Sequence, residues 1–151
     1  MSAWRCSIAT EKTTKATVTS ESKERLAAAR AFAVEAARLA ANTRCHNVVV
    51  LDVGGLSPVC DFFVIATGTS PRQMRSVADD VVELAEAQNF RPLHESGLDG
   101  ATWILVDCVD VIVHFFNEDA RHYYDLENLW GDAKHVDWHQ QHEQPEGPNK
   151  P

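Results

Sequence analysis

No stretch of this chain is apolar for long enough to cross a bilayer, so no membrane partner is expected. None of its four cysteines, Cys6, Cys45, Cys60 and Cys108, belongs to a Cys-x-x-Cys pair. With no signal peptide ahead of them, they predict free, mostly buried thiols in a reducing cytoplasm. Positive charge is also short: Lys and Arg number 14 against 22 Asp and Glu, for a net charge of −8. Phosphate backbones are held by clustered Lys and Arg, so nucleic acid is not the expected direct partner. A protein or a small ligand is. The chain also lacks a P-loop and a dinucleotide fingerprint, since Gly68 is not followed by a second Gly with Lys and Ser or Thr. An Asp-x-Asp pair that could hold two metals on a strand is missing. Asp79 and Asp80 are adjacent within a helical pattern and point in different directions, and Asp107 and Asp110 straddle a turn.

What is present is organised around Asp61 to Asp80. Residues 61–67 form a short apolar run rich in β-branched and aromatic side chains, the pattern of a buried strand. Gly68 turns the chain. Ser70 then suits an N-cap, Pro71 the first helical position, and Gln73 completes a Ser-x-x-Gln capping box. Met74, Val77, Ala78, Val81, Leu84 and Ala85 supply the buried helical face, which ends near Asn89.

Upstream, residues 1–19 lack periodicity and are expected to be a disordered extension. Ser20 or Ser22 is placed to cap a helix to about Ala41, with a narrow stripe of Leu26, Ala29, Ala33, Ala36, Ala37 and Ala40. Residues 47–53 predict a strand stopped by Gly54-Gly55. Downstream, residues 90–100 mix a short extended piece with a glycine loop and present Leu93 and Leu98 with little cover. Residues 103–107 and 111–116 are two near-continuous apolar strands with a short link, the pattern of an antiparallel hairpin. Asn117 caps a short helix through Leu126. The domain is expected to span 20–133, followed by a flexible tail, 134–151. The fold class is therefore α/β: a mixed sheet of four or five strands with helices packed on it, its middle strand–helix–strand unit crossing over right-handedly.

Three features carry candidate chemistry. The turn at Thr67-Gly68-Thr69-Ser70 could receive an anion at a helix N-terminus. His114, inside an apolar strand, is expected to be a buried histidine, with Asp61, Glu118 and Arg121 as candidate partners. His135, His139 and His142 stand at spacings of four and three, but the segment has no apolar face and no fourth ligand beyond Asp137, so no metal site is predicted. Trp103 opens its strand where a sheet edge meets a loop, and the residues alone leave it between a core tryptophan and an exposed anchor.

Several segments, taken together and in order, resemble the ribosomal silencing factor (Iojap) family. They are Leu51-Asp52-Val53, residues 61–70, Arg72-Gln73, Ala78-Asp79, residues 103–107, Asp110-Val111-Ile112-Val113-His114, and residues 123–130. The resemblance runs from about Leu26 to Ala133. It implies a nucleotidyltransferase-like fold without catalytic acids, no enzymatic activity and no cofactor. It implies binding to the large ribosomal subunit through its fourteenth protein, which blocks joining of the small subunit and lowers translation in starvation or stationary phase. Organellar relatives act in large-subunit assembly, and homodimers are known in the family. Carried onto this sequence, the partner surface falls on Trp103 and on the Pro92-Leu93 edge with Gly97, which turns Trp103 towards the anchor. The chain departs from the family pattern at Ser96, where many members carry Glu, at Cys60, which replaces a hydroxyl residue, and at Val109, where Gly is usual. A β-branched residue is costly at positive φ, so a different turn is expected at Val109.

Overall fold

The computed structural model describes the backbone of residues 2–139 and the side chains of residues 20–139. Within these residues the order is α1 (Ser2–Asn42), β1 (His46–Asp52), β2 (Phe62–Thr67), α2 (Pro71–Ala87), β3 (His94–Ser96), β4 (Trp103–Asp107), β5 (Val111–Phe116), α3 (Glu118–Tyr124), α4 (Leu126–Leu129) and β6 (Lys134–Val136). The strands form one sheet in the order β3-β4-β5-β2-β1-β6. Only β2 and β5 run parallel, from Phe62 opposite Val111 to Thr67 opposite Phe116. The fold is thus the expected mixed α/β sheet, with one more strand than expected. The parallel partner of β2 is not the strand directly after α2: β3 and β4 intervene, and β4 and β5 make the expected antiparallel hairpin.

The sequence explains most of the centre. β2 is buried at all six positions, as a two-sided apolar strand must be. The Ser70 hydroxyl accepts from the Gln73 amide, and the Gln73 side chain reaches back to accept from the Thr69 amide, so the capping box forms one residue out of its usual register. Met74, Val77, Ala78, Val81 and Ala85 are buried, Leu84 only partly. Asn89 ends the turn after α2 at φ +62°. α1 stops in the same manner at Arg44, φ +75°, with the Cys45 amide donating to the Ala40 carbonyl.

Four expectations are corrected. α1 continues through Ser20 and Ser22, so neither caps it; the backbone of 2–19 is part of the helix, and the side chains there lie outside the described residues. Leu26 is exposed, whereas Phe32 and Val34, off the alanine stripe, are buried, with Phe32 stacked on Phe90 at 4.8 Å. The tail does not begin at residue 134. Lys134–Val136 pairs antiparallel with β1, and the Trp138 indole donates to the Val48 carbonyl at 3.2 Å. The rest of the expected tail, from residue 140 on, including His142, lies outside the described residues.

The last correction is the hairpin turn. Val109 holds φ +72°, and the Asp110 amide donates to the Cys108 carbonyl two residues back, a tight γ-turn that L residues rarely adopt. The Asp107 carboxylate steadies it by accepting from the Val109 amide. The turn is therefore one that glycine would favour, with the strain carried here by a branched side chain. Val109→Gly is expected to raise stability by about 1 kcal/mol, a rise in the thermal midpoint of a few degrees. An unchanged or lower midpoint would mean that Val109 packing outweighs the strain.

The sheet has two unlike faces. α1 and α2 cover one, over Val50, Phe62, Val64, Ala66, Ile104, Val106, Val111, Val113 and Phe115. The other is covered only in part, by Ala120, Leu126, Trp130 and Ala133 over Leu51, Phe63, Ile65 and Phe116. Toward the β4 edge this second face thins out, leaving Trp103, Leu105, Asp107 and Ile112 half-buried.

Candidate functional site

The thinly covered face is where aromatic side chains leave the core. Trp103 and Phe116 are directly paired across β4 and β5, and Leu105 is paired with His114, so all four share one face. The Trp103 ring lies on Phe116 with centroids 5.0 Å apart and meets Tyr124 at 4.6 Å, and Tyr124 also approaches Phe116 at 6.0 Å, so the three rings form one triangular cluster. Tyr124 in turn meets the edge of Tyr123 at 5.0 Å. Exposure climbs along this ladder: His114 is 4% exposed, Trp103 is half-buried, Tyr124 is 46% and Tyr123 79% exposed. Leu129, 74% exposed, lies one short helix further on. The ladder exists because Asn117 caps α3 through the Ala120 amide and Asp125 turns the chain at φ +50°, which holds the two tyrosines at the strand ends. Arg121 locks the same segment: its guanidinium donates to both Glu127 carboxylate oxygens, at 3.1 and 3.0 Å, and to the Thr67 hydroxyl at 2.9 Å.

His114 is buried as expected, but its partner is neither Asp61, Glu118 nor Arg121. The Trp103 indole Nε1 donates to His114 Nδ1 at 3.1 Å. An indole N–H can only donate, so Nδ1 is the acceptor and the proton of the neutral ring sits on Nε2. That Nε2 is buried with no partner. Burial alone lowers the His114 pKa to about 3, so the ring is neutral at physiological pH.

The sequence-predicted site residues are only partly brought together. Pro92 and Leu93 lead into β3, the edge strand beside β4. Leu93 is 62% exposed, yet it shares parity with Glu95, whose pair partner Val106 faces the helices. It lines a concavity with Val82, Glu86 and Phe90 at the α2 side of the edge. Trp103 faces the other way, so the two apolar groups flank the sheet margin from opposite faces. Gly97, φ +82°, lies against β4: a Cβ there would overlap the Trp103 carbonyl oxygen. Tyr123, Tyr124 and Leu129 were not legible as site members. The Tyr-Tyr pair was visible, but its proximity to Trp103 is tertiary.

The anion reading of the Gly68 turn finds several of its donors engaged. The Gly68 amide bonds the Phe116 carbonyl, the Thr69 and Gln73 amides bond side-chain oxygens of the capping box, and the Thr67 hydroxyl takes Arg121. A Cβ at Gly68 would overlap Met74, so this glycine permits close helix packing and leaves no phosphate cradle. The aspartates are engaged too. Asp107 holds the hairpin turn, and Asp110 pairs with Arg25 at 3.1 Å. Burial, then the Asp110 charge, raises the Asp61 pKa. Among the described residues no group of three His, Cys, Asp or Glu side chains is arranged to hold a metal; His135 is an exposed β6 residue and His139 lies beside Asp137. The described cysteines, Cys45, Cys60 and Cys108, are free and buried. Burial pushes the Cys60 thiol up to about 11 and Cys108 to about 12. In the native protein both are expected to resist a thiol reagent at neutral pH, a mass-spectrometric readout, since the thiolate is the reacting form.

Fold and site together define an α/β domain with a mixed six-stranded sheet, helices on it and an aromatic ladder rising from its less covered face. The chain belongs to the ribosomal silencing factor family: the sequence model described as "Ribosomal silencing factor during starvation" matches residues 26–151. It is 40% identical over 94 residues to the ribosomal silencing factor of Bacillus subtilis, covering 62% of this chain and 80% of that one. It is 32% identical over 107 residues to the chloroplastic Iojap protein of Arabidopsis thaliana, covering 71% of this chain and 44% of that one. A crystal structure of a Chromobacterium violaceum protein superposes with a TM-score of 0.62 at 30% identity, covering 68% of this chain and 83% of that one. A Bacillus halodurans structure does so at 0.58 and 35%, covering 70% and 93%.

Proposed function

We propose that this protein binds the large ribosomal subunit in the cytoplasm, through that subunit's fourteenth protein, and blocks joining of the small subunit, lowering translation in starvation or stationary phase. Trp103 is the anchor of the contact, extended by Tyr124 and Tyr123. Pro92 and Leu93 flank it across the β3 edge, and Gly97 acts by letting that edge lie close to β4. The observation that carries this reading, beside family membership, is the aromatic ladder that runs from a half-buried tryptophan on the sheet to exposed tyrosines. Such residues dominate interface energetics because they bury much area at little entropic cost. A net charge of −8 suits a basic ribosomal protein as target and repels bare RNA.

The test is co-sedimentation with isolated large subunits. Wild-type protein is expected to pellet with large subunits and not with small ones, and Trp103→Ala to bind about 30-fold more weakly, some 2 kcal/mol. Equal pelleting of both proteins would remove Trp103 from the contact.

A second reading, a large-subunit assembly factor, uses the same surface. Normal subunit profiles in a growing deletion strain, with abnormal ones only in starvation, would exclude it.

A further inference from the structure

We infer that His114 is a positioning residue for the partner surface: its Nδ1 holds the Trp103 indole at one angle, so that the ring presents a fixed edge to whatever docks there. The inference rests on the proposed role of Trp103.

Three observations lead to it. First, apart from its bond to Trp103, nothing around the residue calls for a histidine. The imidazole is 4% exposed, lies parallel to Phe116 at 6.1 Å and meets the Phe63 edge at 4.8 Å, an environment suited to an apolar side chain. Its buried Nε2–H finds no acceptor, and an unsatisfied buried donor opposes folding. Second, the one polar bond it makes is to Trp103, the half-buried residue through which the cluster leads out to the exposed tyrosines. The 3.1 Å bond from Trp103 Nε1 needs a buried acceptor on the β5 strand at this point. Burial, with no charge contributing, keeps the imidazole neutral, so Nδ1 stays an acceptor. Third, without that bond little else selects the ring angle. Trp103 is otherwise held by non-directional aromatic contacts with Phe116 and Tyr124, which themselves approach each other at 6.0 Å, and neither supplies a hydrogen-bond acceptor that would favour one orientation of the indole over its flipped one. A flip would send the N–H toward the partner and change the apolar edge into a polar one.

Two substitutions separate position from packing. His114→Leu fills the space without an acceptor. His114→Asn places its side-chain oxygen close to where Nδ1 now stands. The first readout is the Trp103 indole N–H resonance, identified among the signals of the four tryptophans by its loss in Trp103→Phe. His114→Leu is expected to move it and to remove its protection from hydrogen exchange, and His114→Asn to keep it near its native place. The second is affinity for isolated large subunits, expected to fall about fivefold in His114→Leu and to return in His114→Asn. Thermal midpoints establish that each variant is folded. An unmoved resonance in His114→Leu overturns the inference. So does a moved resonance with unchanged subunit affinity, because the angle would then not matter to the partner. Failure of the wild-type protein itself to bind large subunits overturns the functional reading instead, and the resonance alone then decides whether His114 sets the ring.

Discussion

Gly97→Ala is expected to lower stability by about 3 kcal/mol and the thermal midpoint by about 10 °C. Gly97 stands at φ +82°, where an L side chain is strained, and its missing Cβ is the space occupied by the Trp103 carbonyl oxygen. Backbone cannot retreat as a flexible side chain could. The alanine must push β3 off β4 or move the strand that carries Trp103. Either way the register of His94 with Asp107 and Ser96 with Leu105 is disturbed at its open end. Because β3 is a short edge strand, the damage is expected to stay local: amide exchange should accelerate in residues 93–106 and remain slow in β2 and β5. The helical and central-sheet signal should survive. A midpoint within 1 °C of the wild type would show that the edge adapts freely and that Gly97 has no structural part in placing Trp103.

The second large effect is acid destabilisation through His114. Unfolded, this imidazole titrates near its ordinary 6.5; folded, burial lowers its pKa to about 3. Between those values the unfolded chain binds a proton that the folded chain refuses. The stability linked to this residue is therefore complete above pH 6.5 and is lost as pH falls, at about 1.4 kcal/mol per pH unit, until the folded pKa is reached. Asp61 has the opposite sign, since its pKa is raised in the folded protein, mostly by burial. The quantity to measure is accordingly a difference: urea midpoints of wild type and His114→Asn from pH 7 to pH 4. The wild type is expected to lose stability faster than the variant over that range. Parallel curves would mean that the imidazole is not buried as described.

How much of this was legible in the sequence depends on whether the signal is local. β2, the Ser70 cap and the buried face of α2 were legible because each is a run or a spacing within 20 residues. β6 was not. Lys134–Val136 has one buried side chain and pairs with β1 some 80 residues earlier, so nothing in its own composition marks it as a strand. Phe32 and Val34 lie beside the alanine stripe of α1, and only the packing of α2 and Phe90 shows that the apolar face is wider. The candidate site divides in the same way. Trp103 stood out as a tryptophan opening a strand. That it leans on His114 and Tyr124, and that Leu93 faces away from it, follows from a strand register and a helix position that no local pattern encodes. The strained Val109 turn went unforeseen because branching argues against positive φ, while the hydrogen bonds from the Val109 amide to the Asp107 carboxylate and from the Asp110 amide to the Cys108 carbonyl enforce it.

Subunit joining tests the central claim most directly. Separated small and large subunits, returned to the Mg²⁺ concentration at which they associate, should remain apart on a sucrose gradient when wild-type protein is in excess, and should join when Trp103→Ala replaces it. Full joining in the presence of saturating wild-type protein would contradict the account.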